Sequence, residues 1–348
     1  MMKTHLRIRG IMLLVALVAM VSTGLTAGAA DFYAGKTITI VCPYSTGGTY
    51  DRMSRLAARF LPKYIPGKPA AIVHNRPGAG GLIGLRSVYR AEADGLSLIH
   101  FASPMVVRSL TGGIKDIDFK KVTWLGSVGG AHYLFAIRSD RPERTIADFQ
   151  KTKNAIRVGA TGPSSLLTQA PRFLQRAGKF NLRLVPGYKG YNPMALAMKQ
   201  NEVDAVATAG VAVRVNTATR EMHKDGTIKL VLSMGGGPPP APLAAEIGAL
   251  PKFVDAIDDP KDRDAWVAFS GLLSATRPLA TTPGVPAERA AILKKAMADM
   301  MADPEFVKTA TDQGFVLNTL DSKAAEKLIL SVFNMPSEIQ DRLKTLLK

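Results

Sequence analysis

Cysteine is nearly missing from this chain: Cys42 stands alone among 348 residues. One thiol excludes an intramolecular disulfide framework and leaves a thiolate metal site without ligands. At the end of an apolar stretch, Cys42 reads as a small buried residue. Aromatic residues make up 7% of the chain and tryptophan occurs twice, which leaves little material for base-stacking platforms. Trp124 and Trp266 read as packing residues. Among His74, His100, His132 and His223 no pair falls at the i, i+4 spacing of a zinc helix. No serine stands in a G-x-S-x-G elbow, since Gly126-Ser127-Val128-Gly129 lacks the glycine two places before the serine. No cofactor and no metal are expected. Acidic residues are also scarce, 28 against 45 Lys and Arg, for a formal charge of +17. That surplus points to an anionic partner, which a small acid, a membrane surface or a nucleic acid would each satisfy. The basic residues are scattered rather than gathered in a stripe, which argues against nucleic acid.

No apolar run is long enough to cross a bilayer. The longest, Ile11 to Val21, follows Lys3, Arg7 and Arg9 and leads into Ala27-Gly28-Ala29-Ala30. That order is the secretory signal pattern, with cleavage expected after Ala29 or Ala30, and the run is too short for a membrane span. Residues 1–30 are therefore expected to be a signal peptide and the protein to be exported to the periplasm. Removal leaves 318 residues (348 less 30) and a charge of +14 (+17 less three basic residues), enough chain for two modest domains.

Beyond the leader, strand-like and helix-like stretches alternate, the mark of α/β architecture with mainly parallel sheets. Lys36 to Val41 alternates as a strand; Met53, Leu56, Ala57, Phe60 and Leu61 then recur at helical spacing. Ala71–Val73, Leu96–Phe101, Ile156–Val158, Leu182–Val185, Val203–Ala207 and Ile228–Leu232 are further strand candidates. Asn192-Pro193 predicts a helix with proline at its first position. GGGPPPAP at 235–242 punctuates the chain, and mostly helices follow it.

Two turns carry the functional signal. PYSTGGTYD (43–51) joins the first strand to the first helix through two glycines and three serine or threonine hydroxyls. A strand that turns through glycine into a helix leaves backbone N–H groups free at the helix start, where an anion is favoured. ATGPSS (160–165) repeats this design in the second half, with Ser164 or Ser165 available as a cap. Opposed across a cleft, the two would clamp a small carboxylate. GAGGLIG (78–84) fails the stricter dinucleotide spacing at Ile83 and has no acidic residue after the next strand, so it reads as a tight loop lining a cleft.

PYSTGGTYD, NRPGAGGLIG, EADGLSL, PGYKGYNPMALA with NEVDAV, and the C-terminal AWVAFSG, PAERAAIL and ADPEFVKTATDQG occur in a characteristic order. In this the chain resembles the Bug-type substrate-binding receptors of tripartite tricarboxylate transporters over nearly all of its mature length. The resemblance implies a periplasmic binding protein type II-like fold: two α/β lobes joined by two crossovers, with a ligand cleft between them. It implies capture of a small organic anion, a mono- or dicarboxylate, and delivery to membrane permease subunits, without catalysis. A monomer is expected. Two departures bear on the ligand: Ser45-Thr46 stand where the family usually has prolines, and Pro163 where a glycine is common.

Lobe one is expected to comprise 31–130 and 234–348, and lobe two 131–233. The expected ligand-binding residues are Tyr44, Ser45, Thr46, Gly47, Gly48 and Thr49 from the first turn, with Gly80, Gly81 and Ser103 on the same wall. Lobe two is expected to supply Thr161, Gly162, Pro163, Ser164 and Ser165, with Tyr188 nearby. Gly48 is expected to matter through a ligand-facing N–H or a positive φ, and Asp51 to orient the loop. Two rival classes are a secreted enzyme acting on an acidic substrate and a sensory receptor that hands ligand to a signalling protein.

Overall fold

A computed structural model describes residues 32–348; the expected signal segment lies outside the described residues. The strands are β1 (Thr37–Cys42), β2 (Ala70–Asn75), β3 (Ser97–His100), β4 (Thr123–Ser127), β5 (His132–Arg138), β6 (Ile156–Gly159), β7 (Leu182–Val185), β8 (Ala205–Ala209), β9 (Ile228–Gly236) and β10 (Pro278–Thr281). They form two five-stranded sheets of matching order, β2-β1-β3-β10-β4 and β7-β6-β8-β5-β9. β1 pairs in parallel with β2 and β3, and β6 with β7 and β8. Each sheet is therefore the core of one α/β lobe, as the alternating pattern predicted.

The sheets are mixed rather than wholly parallel. β10 runs antiparallel to β3 and β4, and β5 antiparallel to β8 and β9. β4, β5 and β10 were not among the sequence-derived strands. All seven residues of β5 but its ends are buried, so its apolar run has no period of two to read. β10 is four residues long and opens on Pro278, a residue that argues against a strand. The chain passes between the lobes at Val128–Ala131 and again between β9 and β10. The two crossovers are tied together: Ala131 N–H donates to Leu273 O at 3.0 Å, Gly237 N–H to Ala131 O at 3.1 Å and Val128 N–H to Arg277 O at 3.2 Å.

Lobe one packs Ile38, Ile40, Phe60, Leu98, Phe101 and Trp124 around its sheet. Lobe two has a chain of rings: Phe149 stacks on Phe180 at 5.1 Å, Phe253 meets Trp266 at 4.7 Å, and Trp266 lies against Phe173 at 5.0 Å. Both tryptophans are buried packing residues, as expected. These rings also correct the boundary set at 234. The 253–269 segment belongs to lobe two's core, because Phe253 and Trp266 have their aromatic partners there. The closing helix Ser337–Leu347 packs on the same lobe, where Arg172 bonds to the Leu347 carbonyl.

Candidate functional site

Between the lobes lies a cavity of about 50 Å³, room for a few water-sized groups. Its wall is drawn from both sheets' turns. From lobe one come Tyr44, Ser45, Gly48, Thr49, Tyr50 and Ala102; from lobe two come Ser165, Leu166, Leu167, Tyr191, Thr208, Ala209 and Ala212. Tyr133, at the exit of the first crossover, completes it. None of these residues carries a formal charge. Any charge placed inside must be met by dipoles and hydroxyls.

The lobe-one turn is built to present a helix start. Gly48 caps the helix Thr49–Phe60, whose first bonded amide is Arg52 N–H to Gly48 O at 3.0 Å. The N–H groups of Thr49 and Tyr50 thus have no acceptor within the helix. Asp51, in that first turn, does not face the cavity. Its carboxylate accepts from Gly47 N–H at 2.9 Å, Asn75 Nδ2 at 2.8 Å and Arg55 Nε at 3.0 Å. Burial pushes this carboxyl up, but Arg55, Gly47 and Asn75 together hold it below its ordinary value. Asp51 orients the loop, in keeping with its expected role.

In lobe two, Ser165 caps the helix Leu166–Arg176 by accepting from Leu167 N–H at 3.2 Å. The turn before it is closed by Ser165 N–H to Gly162 O at 3.0 Å. Two helix starts therefore meet one cavity, each favouring negative charge by ~0.3–1 kcal/mol and up to about 2 when desolvated.

Four tyrosines add further polar groups. Tyr44 packs on Tyr50 with ring centroids 4.8 Å apart, and its hydroxyl is buried without a partner. Tyr50 donates from its hydroxyl to the Thr276 carbonyl. Burial raises the phenols of Tyr44, Tyr50 and Tyr191 above their usual range and pushes that of Tyr133 up to about 12. All four stay neutral hydrogen-bonding groups, beside the hydroxyls of Ser45, Thr49, Ser165 and Thr208.

Of the residues expected from sequence, the structure brings Tyr44, Ser45, Gly48, Thr49 and Ser165 to the cavity. The others sit elsewhere. Thr46 and Gly47 are exposed; the Thr46 carbonyl accepts from Asn192 Nδ2 of lobe two at 3.2 Å. The positive φ of the turn, +80°, belongs to Gly47, whereas Gly48 has φ −73°. Ser103 is fully buried and donates to the Leu272 and Ala275 carbonyls, so it fastens the second crossover. Pro163 is exposed; Thr161 and Ser164 are buried behind the turn. Tyr188 reaches away toward Glu202 Oε2 at 3.4 Å, and Tyr191 takes the place expected of it. The reason is a helix that starts earlier than expected, at Tyr191 after a Gly190 cap, with Pro193 in its third position.

Gly80 and Gly162 form an interlobe contact instead of a ligand wall. A Cβ added at Gly80 would lie 2.6 Å from Gly162 O and 2.7 Å from Ser165 N. One added at Gly162 would lie 2.2 Å from Gly80 N. Only residues without side chains let the two backbones touch here. Gly81 backs Tyr44, whose hydroxyl would be 3.3 Å from a Cβ at that position. With Arg52 Nη1 donating to Val215 O at 2.8 Å, the lobes are closed on each other. The cavity residues missed from sequence, Tyr50, Tyr133, Tyr191 and Thr208 above all, had a signal only in part. Tyr50 lies inside the first turn motif and Tyr191 inside PGYKGYNP.

Two serine–histidine contacts exist among the described residues. Ser54 Oγ lies 3.3 Å from His100 Nδ1, but it also donates to Tyr50 O at 2.8 Å. His100 Nε2 faces the Arg277 carbonyl at 3.2 Å, which only accepts, so Nε2 carries the proton. Burial pushes His100 down to about 3, keeping it neutral. His132 Nε2 meets Ser233 Oγ at 2.8 Å outside the cavity. Burial raises the Cys42 thiol to about 12. No cluster of three metal-ligating side chains occurs among the described residues.

No known family model matches the chain. It is 28% identical over 239 residues to the protein BugT of Bordetella pertussis, covering 65% of this chain and 69% of that one. It is 26% identical over 204 residues to the UPF0065 protein in the TAR-I ttuE-ttuC' intergenic region of Agrobacterium vitis. That match covers 57% of this chain and spans only 58% of the relative's length. Among solved structures, the periplasmic binding protein BugD superposes with a TM-score of 0.66 at 19% identity, over 90% of this chain and 96% of that one. MatC of Rhodopseudomonas palustris with bound malate gives 0.67 at 18%, over 90% and 99%. A second R. palustris protein, solved with adipate, gives 0.66 at 18%, over 88% and 97%.

Proposed function

Because the chain is a homologue of the UPF0065/Bug proteins and has the two-lobed periplasmic binding protein fold, we propose that it is a carboxylate-binding solute receptor. It captures a small organic acid between its lobes and delivers it to membrane permease subunits of a tripartite transporter. The observation that carries this reading is the cavity walled by two opposed helix starts and four tyrosines, with no charged side chain on its surface. A wall of that kind holds an anion by N–H and O–H donors and discriminates by shape. The ligands of MatC and its R. palustris neighbour, malate and adipate, support the same chemical class.

Binding works by population shift. The ligand touches both turns in the closed form only, so it stabilises closure by its differential affinity for that state. The cavity adds nothing that resembles a nucleophile with a base, and a receptor role without turnover is the reading we adopt. The signal pattern of residues 1–30 and the fold together support a periplasmic location.

Titration calorimetry with malate, succinate, adipate and citrate tests the proposal. Micromolar or tighter binding of at least one acid, recovered chemically unchanged, is the expected result. Binding restricted to neutral sugars or cations would reject the carboxylate class, and recovery of a converted product would reject the non-enzymatic role.

A further inference from the structure

Among the described residues, one buried charge has no counter-charge. Arg277 is 1% exposed, at the start of β10 where the second crossover re-enters lobe one. None of the ion pairs among the described residues includes it, and its Nε is buried without a partner. Nη1 donates to Gly130 O of the first crossover at 3.0 Å and approaches Thr276 Oγ1 at 3.5 Å. The guanidinium carbon lies 5.7 Å from the Tyr50 ring centroid and 5.6 Å from that of Phe315. Aromatic faces and a carbonyl soften the loss of water, but they do not neutralise a cation.

The position of this charge is what gives it a use. Tyr50 stands between Arg277 and the cavity, in the first turn of the helix whose start faces the ligand. Tyr133, another cavity residue, feels the same guanidinium, which lowers its phenol against the effect of burial. His100 donates to the Arg277 carbonyl and is neutral, so it adds no second cation to this layer. A buried cation without a counter-ion is costly in the empty protein, and an anion arriving behind one ring of tyrosine relieves that cost. In a low-dielectric setting such an attraction is weakly screened by salt.

Resting on the receptor reading, we infer that Arg277 is the counter-charge of the bound ligand. It is a positioning residue that makes the cavity choose an anion over a neutral molecule of the same shape, acting through the Tyr50–Tyr133 wall. It also bridges the two crossovers, which keeps the charge registered to the cavity when the lobes close.

The test compares malate with its neutral diamide, malamide, by calorimetry on the parent, Arg277→Lys and Arg277→Gln proteins. The parent should prefer malate. Arg277→Gln, which keeps a donor for Gly130 O, should weaken malate by about ten- to a hundredfold, or ~1.4 kcal/mol for each factor of ten. Its malamide affinity should change by less than about twofold, and Arg277→Lys should retain most of the malate affinity. Equal losses for both probes would make Arg277 purely structural and overturn the inference. So would unchanged malate binding in Arg277→Gln, while the receptor reading stood. If Arg277→Gln does not fold, Arg277→Lys decides: a kept preference for malate over malamide supports the inference, and equal losses for both probes overturn it. A parent that binds none of the acids overturns the receptor reading and this inference with it.

Discussion

Substituting Gly80 by alanine separates closure from folding. The residue has φ +70°, and its added Cβ would sit 2.6 Å from Gly162 O and 2.7 Å from Ser165 N. Two distinct costs arise. The left-handed backbone costs an alanine about 1–2 kcal/mol whether the lobes are open or closed, so it appears in stability. The clash with lobe two's backbone exists only in the closed form. Overpacking of that kind costs about 1–3 kcal/mol, which shifts the open–closed balance and weakens ligand binding roughly five- to 150-fold. Gly112→Ala is the control, since Gly112 has φ +73° with no atom within 4 Å of an added Cβ. It should lose similar stability and no affinity. Calorimetry gives the affinities, urea unfolding the stabilities, and small-angle scattering the radius of gyration with and without ligand. Gly80→Ala should remain expanded at ligand concentrations that compact the parent. If it closes and binds like the parent, the Gly80–Gly162 contact plays no part in closure.

Further expectations concern individual wall residues. Ser45→Ala should weaken the native acid by up to about 1.5–3 kcal/mol, the worth of a hydroxyl bond to a charged group, whereas Thr46→Ala should be neutral because its side chain is exposed; calorimetry giving equal effects would contradict the geometry. Tyr191→Leu should lower affinity at least tenfold while Tyr188→Phe stays within about twofold, and a reversed order in the same titration would move the site toward Glu202. Asp51 has a folded pKa below its unfolded one, so the stability it contributes is complete above about pH 4 and is lost as pH falls through the folded value. The stability gap between parent and Asp51→Asn, read from urea unfolding, should therefore shrink from pH 7 to pH 3; a constant gap would show that the carboxylate is not paired in the fold.

The strand–turn–helix units around 37–60 and 156–176 were legible because the period of the apolar residues and the glycine and serine at each turn act within a few residues of chain. So was the presence of two lobes. Burial on both faces removes the alternation that marks a strand, and β5 was lost that way; the short β10 exists only through pairing with β3 and β4. Of the cavity residues, Tyr44, Ser45, Gly48, Thr49 and Ser165 beside the two turns were named from sequence, whereas Tyr50, Tyr133, Tyr191 and Thr208 were not. Tyr133 reaches the cavity only because the crossover delivers it there, and Thr208 only because β8 lies central in its sheet. Gly80 and Gly162 were expected to touch the ligand, but each packs against the other. That pairing spans two lobes and has no local signature.

The proposed ligand of the interlobe cavity is a small carboxylate. A thermal-shift titration of the parent protein against mono-, di- and tricarboxylates, with neutral sugars and simple cations alongside, tests it most directly. A true ligand at a hundred times its Kd adds about 2.7 kcal/mol to stability, which for a chain of this length raises Tm by roughly 4 °C. At least one small carboxylate should give such a rise, saturating with concentration, and the sugars and cations none. A saturable rise confined to a neutral or cationic compound would contradict it.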